Sequence, residues 1–229
     1  MPDPTVHAAT GEATRRVRVA ARALARSGLV HAYGHCSIRM SPTEFLVSPP
    51  RPLGLVGLSD IPVPVATTGA LPPGALPEVI AHQHIYRQRE DVCAVARFQS
   101  PHVTALSALG RTPRALHGFG AYFAPRLPLH SDPRLVRDDV SAASLAGSLG
   151  AGRGIVMRGN GAITVGATLE EAVALAWYLE DAARLEMAAL SSGLEAEEYT
   201  PEEARERAAA SGRLFERMWD WMTAGDPEL

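Results

Sequence analysis

A chain of 229 residues has room for one large domain or two small ones, and it can bury a substantial core. Its 46% hydrophobic and 21% charged residues are ordinary for a soluble globular protein, and a net charge of −3 gives no electrostatic reason to expect nucleic acid or an anionic membrane as partner. No run of about 18 apolar residues is present, so a transmembrane helix is not expected.

The N-terminal "MPDPTVHAATGEATRR" lacks the apolar centre of a signal peptide. Cys36 and Cys93 stand in unrelated contexts, which argues against a disulfide framework. The expected location is cytoplasmic. All 22 basic residues are arginine. The absence of lysine excludes a Schiff base with a carbonyl substrate, a pyridoxal phosphate anchor and a phosphate-loop lysine.

In chain order, residues 12–27 place Val17, Ala20, Ala21, Leu24 and Ala25 at helical spacing, and "SGL" ends the run. "SIRM" and "EFLVS" flank the turn signal "SPTE" and predict a β-hairpin. The next stretch, through "TTGALPPGALP", is dense in Gly and Pro and predicts a loop-rich passage framing a site. A helix is predicted over residues 77–89, opened by Pro77. "VCAVARF" predicts a strand, and "SPHVTALSALG" a short helix stopped by Gly110. "GIVMRGNGAITVG" predicts two strands around a Gly-Asn-Gly turn. The clearest amphipathic helix follows Thr168, whose cap would be completed by Glu171 three residues on. A last helix over roughly residues 201–223 carries Leu214, Met218 and Trp221 on one stripe. Strands and helices interspersed in this way predict an α/β or α+β class within one domain.

The residues with chemical potential begin with Glu78 and His82. At i, i+4 spacing they share a helix face, where a carboxylate and an imidazole can tune each other and exchange protons with a substrate. The alternative for such a pair is an exposed contact of a few tenths of a kcal/mol, or a histidine hydrogen-bonded in the core. His117 and His130 read as loop or core residues.

The order of the pieces says more than any one of them. An "E…H..IY..R.DV.AV" segment precedes a strand ending in polar residues, and "GNGAITVG" leads straight into "LEEAVALAWYLEDAA". Over roughly residues 12–190 this resembles the class II aldolase/adducin family, in the manner of fuculose-phosphate aldolases. The resemblance implies a three-layer α/β/α sandwich with a central, mainly antiparallel sheet. It implies a single domain over residues 1–229, with a helical extension from about residue 195. It also implies a homo-oligomer, usually a tetramer with sites between subunits, acting on a small molecule. In that family a Gly-Asn before a strand, here "GHCSIR", helps to bind the substrate phosphate. A Thr-Pro-Ser-Gly-like loop, here "VSPPR", and a Ser-Ser-Glu, here "LPE", complete the site. The glutamate of the last motif is the general acid/base and falls on Glu78.

The departures from the pattern are chemical. The family's divalent metal is held by three histidines, and the corresponding residues here are Arg97, Gln99 and Asn160. A guanidinium cannot coordinate, and neutral amides bind zinc or ferrous iron weakly. No cofactor is therefore expected. The histidines near in sequence do not rebuild the cage, since His82 and His84 lie about 200° apart around a helix; a site from His82 with His102 is the remaining arrangement. His35 stands for the phosphate-site asparagine, Pro50 and Arg51 for Ser-Gly, and Leu76 and Pro77 for the serine pair. A proline offers no N–H to a phosphate oxygen, whereas Arg51 and Arg97 offer planar forks of donors suited to a carboxylate or an enolate.

The expectation that follows is a metal-independent lyase-like enzyme, with biosynthesis in secondary metabolism as its setting. It would act through an enolate-type intermediate in aldol cleavage or condensation, decarboxylation, dehydration or cyclisation. Glu78, His82 and Arg97 are its candidate catalytic residues, and His35, Arg51, Gln99 and Asn160 its candidate substrate contacts. The alternatives are a non-catalytic, adducin-like assembly module, or a metal-dependent aldolase or oxygenase with rebuilt ligands. Phe215 and Trp219, with Met222 one turn on, are candidate aromatic anchors for a partner subunit or a site lid.

Overall fold

The computed structural model describes residues 4–208 and 212–229. Its centre is a seven-stranded sheet in the order β3-β2-β1-β4-β7-β6-β5. The strands are β1 (His35–Ser41), β2 (Glu44–Val47), β3 (Val63–Ala66), β4 (Ala94–Phe98), β5 (Leu129–His130), β6 (Gly154–Met157) and β7 (Ala162–Gly166). All neighbours are antiparallel except β5 and β6. The helices are α1 (Pro4–Arg26), α2 (Ile80–Gln88), α3 (Pro101–Ala108), α4 (Asp139–Leu149), α5 (Leu169–Ser192), α6 (Pro201–Arg207) and α7 (Leu214–Thr223).

Both faces of the sheet are covered, and alternation along β4 divides the core in two. Ala94, Ala96 and Phe98 face the side packed by α1, α3, α5 and α7, while Val95 faces the side packed by α2 and α4. A strand buried on both faces reads as a continuous apolar run, as "AVAR" does up to its arginine. Small side chains at Ala172, Ala176 and Ala183 are fully buried on the sheet-facing side of α5. The result is the expected α/β/α sandwich around a mainly antiparallel sheet.

Several expectations change in detail. The loop-rich passage contains the edge strand β3, which pairs with β2 despite its proline. The helix predicted over residues 77–89 opens as a 3₁₀ turn, Pro77–Val79, before α2 begins. Thr168 caps α5 by accepting from the Glu171 N–H, but Glu171 reaches back to the Ala167 N–H (2.8 Å) rather than to its cap. The single helix expected over residues 201–223 is two helices, since Gly212 and Arg213 take left-handed φ values of 84° and 56° before α7. Within α7, Trp219 and Met222 are only 8% and 4% exposed against the chain's own core, whereas Trp221 is 61% exposed. Trp219 therefore anchors this helix at home and is not the free aromatic anchor expected from the sequence. Phe215 likewise packs against Tyr122 and Tyr178 of the same chain.

Candidate active site

A cavity of about 670 Å³ opens where the start of β1, the end of β4 and the β6–β7 turn converge with the entry to α2. Each group arrives for a local reason. His35 and Arg97 are cross-strand partners on β1 and β4, so their side chains leave the same face of the sheet. Asn160 is brought over the end of β4 by a tight turn. Gly161 has φ +76°, and a Cβ there would stand 2.0 Å from the Phe98 carbonyl oxygen. Only glycine lets the turn come so close. Pro77 starts the 3₁₀ turn that presents Glu78 at the cavity, and Pro50 and Arg51 line another wall.

The three positions where the family pattern has histidines do meet. Arg97 Nη2 and Gln99 Nε2 both donate to Asn160 Oδ1, at 2.7 and 2.6 Å. Arg97 is 6% exposed, and burial lowers its guanidinium to about 10, against the opposing influence of the Glu78 charge. It remains a cation at neutral pH. Among the described residues it has no carboxylate within ion-pair distance; its side-chain acceptors are Asn160 oxygens. These residues do not fit a divalent metal: one is a cation, and the two amides are committed to the hydrogen bonds around Asn160 Oδ1. Among the described residues, no group of three His, Cys, Asp or Glu side chains is arranged to hold one elsewhere.

Glu78 and His82 are not brought together. Glu78 lines the cavity, and its Oε1 accepts from Arg137 Nε and Nη2 at 2.8 and 2.6 Å. His82 is fully buried behind His35, with its Nε2 2.8 Å from His35 Nδ1 and its Nδ1 2.7 Å from Ser37 Oγ. Burial, reinforced by Arg97, pushes the His82 imidazole down to about 3. Burial also holds His35 well below the ordinary imidazole value, with His82 and then Arg97 adding to it. Both rings are therefore neutral at physiological pH. The 3₁₀ turn accounts for the separation, because the i, i+4 face of an α-helix does not extend back to Glu78. His84 pairs with Asp139 (2.8 Å) and His102 with Glu180 (2.7 Å), so neither approaches His82 as a co-ligand.

Arg51 lines the cavity while pairing with Asp60 at 2.7 Å. Arg137, Tyr33 and Leu135 also line it and were missed in the sequence. Arg137 lies in "DPRLVRDD", a surface-loop composition with nothing to tie it to Glu78, 59 positions away.

The match to known proteins is now decisive. Residues 15–187 fit the model of the class II aldolase and adducin N-terminal domain. The chain belongs to this family. Among curated relatives, it is 30% identical over 207 residues to a 3,4-dihydroxyphthalate decarboxylase of Arthrobacter keyseri, covering 83% of this chain and 82% of that protein. A 3,4-dihydroxyphthalate decarboxylase of Rhodococcus jostii (strain RHA1) is 26% identical over 196 residues, covering 77% of this chain and 80% of that protein. Among solved structures, the L-fuculose 1-phosphate aldolase from Glaciozyma antarctica PI12 superposes with a TM-score of 0.80 at 21% identity, covering 97% of this chain and 91% of that one. That likeness establishes the fold. Family and relatives together support a lyase-like class II aldolase homologue.

Proposed function

We propose that this family member decarboxylates a small hydroxylated carboxylate through an enolate- or phenolate-type intermediate, with Arg97 standing in for the metal ion. The observation that carries the reading is Arg97, a buried guanidinium at the cavity wall whose hydrogen bonds go to an amide residue and not to a carboxylate. A buried cation is costly unless an anion completes it in the working state. Fixed positive charge aimed at developing negative charge can replace a Lewis acid.

In this reading Glu78, with Oε1 held by Arg137, keeps Oε2 for the reaction. It takes the substrate's hydroxyl proton and delivers it to the carbon that bears the carboxylate. That carbon–carbon bond then breaks, CO2 departs, and the bonding pair returns as an oxyanion beside Arg97, which solvent reprotonates. Arg51 and Arg137 offer further donor forks for carboxylate oxygens. Decarboxylation is preferred to aldol cleavage, dehydration or cyclisation because the relative at 30% identity is named for it. A glutamate retained at the cavity, and polar groups rather than apolar filling at the three former ligand positions, favour an enzyme over an adducin-like assembly module.

The test is CO2 release from 3,4-dihydroxyphthalate and a panel of mono- and dicarboxylated phenols. At least one should be turned over, and Glu78→Gln should lower that rate by about two to four orders of magnitude. No CO2 from any member of the panel would overturn the reading.

A further inference from the structure

The histidine behind the cavity wall belongs to a longer chain of groups. His35 and Ser37 are two apart on the face of β1 that meets α2, and His82 and Tyr86 are four apart on α2. Two strand residues advance about 6.6 Å and four helical residues about 6 Å, so the two pairs run in step. Tyr86 OH lies 2.8 Å from Ser37 Oγ, Ser37 Oγ 2.7 Å from His82 Nδ1, and His82 Nε2 2.8 Å from His35 Nδ1. All four residues are buried. At the outer end His35 lines the cavity, and its buried Nε2 has no partner among the described residues.

Each link holds one proton. If Ser37 accepted from both neighbours its own O–H would be left over, so with Ser37 both giving and taking the chain points one of two ways. If it points inward, His35 Nδ1–H donates to His82, His82 to Ser37 and Ser37 to Tyr86. The Tyr86 O–H then ends without an acceptor among the described residues, in a neighbourhood that includes the Phe45 ring. An unmade donor in the core is a cost that a folded protein avoids. If it points outward, Tyr86 donates to Ser37, Ser37 to His82 Nδ1, and His82 Nε2–H to His35 Nδ1. Tyr86, Ser37 and His82 are then all satisfied, and the one donor left over is the His35 Nε2–H, on the residue that lines the cavity. The inward order instead leaves both the Tyr86 O–H and His35 Nε2 without partners among the described residues. The Arg39 guanidinium, 4.7 Å from the centre of the Tyr86 ring, draws electron density from the phenol and favours it as donor.

We propose that Tyr86, Ser37 and His82 are positioning residues that lock His35 in its Nε2–H tautomer, so that His35 donates a hydrogen bond to an anionic oxygen of the substrate beside Arg97. The proposal rests on the reading that the cavity takes a carboxylate. It gives His82 an orienting task in place of proton transfer to the substrate.

Nitrogen–proton correlation spectra of the full chain, labelled with ¹⁵N-histidine, test it without relying on turnover. The expected result is Nε2 protonation on both His35 and His82 between about pH 6 and 8. Ser37→Ala should let both rings populate the Nδ1–H form, and Tyr86→Phe should do so partially. Ser37→Thr, which keeps the hydroxyl, should restore the wild-type pattern. Saturation with phthalate should move the His35 Nε2 proton downfield. Where turnover is measurable, Ser37→Ala should lower kcat/KM by about ten-fold or more. A bare Nε2 on His35 in the wild type, or no response of His35 to phthalate, overturns the proposal. If the tautomers and the phthalate response are as stated but no CO2 is released, only the decarboxylase reading fails.

Discussion

At the scale of single residues, the site is a set of substitutions that agree with one another. A guanidinium where the family pattern has a metal ligand would be isolated if its neighbours had stayed histidines. Instead Asn160 supplies the amide oxygen that holds it, and Gln99 donates to that same oxygen. Reverting all three together, as Arg97→His, Gln99→His and Asn160→His, should therefore recreate a cation site, read as close to one zinc or manganese per chain by elemental analysis. The wild-type protein should carry well under one. Stoichiometric metal in the wild type would move the electrophile elsewhere. The residues that could be named in advance were those inside motifs: His35, Arg51, Glu78, Arg97, Gln99 and Asn160 all line one cavity. Arg137 could not be named, because its partnership with Glu78 exists only once the segment after β5 is folded beside α2. The true surroundings of His82 were hidden for a related reason. Helical spacing shows which face a residue shares, but not whether that face looks at solvent or at a strand.

At the scale of elements, periodicity was legible wherever an apolar stripe or a turn signal was strong. The β1–β2 hairpin, the β6–β7 hairpin and α5 lie close to their predicted places. The short strands β3 and β5 carry too few residues to show alternation, and α4 is rich in Ala and Ser, with its cap on Asp138 as its clearest signal. The turn at Gly161 is the element on which the site most depends. Gly161→Ala should destabilise the protein by about 2–4 kcal/mol, combining left-handed strain with a backbone clash. It should also weaken the response to phthalate by displacing Asn160. A denaturant midpoint and m-value unchanged from wild type would show that the turn relaxes at no cost.

For the molecule as a whole, the ends of the chain are clasped. Asp226 accepts from Arg22 at 2.8 and 2.7 Å and from Arg26 at 3.0 Å, while Glu228 accepts from Arg18 and Arg22. Burial alone would raise the Asp226 carboxyl, but the hydrogen bonds from Arg22 and from the Glu228 N–H, with the charges of Arg22 and Arg26, hold it below its ordinary value. Glu228 is also held low, chiefly by Arg18. A carboxylate depressed in the folded state contributes fully above its unfolded pKa, and that contribution is lost as pH falls through the folded value. The melting temperature should therefore drop as pH falls below about 4. Asp226→Ala should cost about 3–5 kcal/mol at neutral pH and flatten that acid dependence. An acid limb as steep in the variant as in the wild type would remove the clasp from the explanation. We propose that the chain assembles as the homotetramer that the family resemblance implies; a monomeric mass by light scattering at micromolar concentration would contradict it.

Arg97 is proposed to do at this site what a metal ion does in the family pattern. The most direct measurement is the initial rate of CO2 release by chelator-treated wild type set beside Arg97→Gln, with circular dichroism confirming that both are folded. The expected result is an undiminished rate for the treated wild type and a loss of about two to four orders of magnitude for the variant. Activity abolished by chelator and restored by a divalent ion, or an Arg97→Gln enzyme that turns over like wild type, would contradict it.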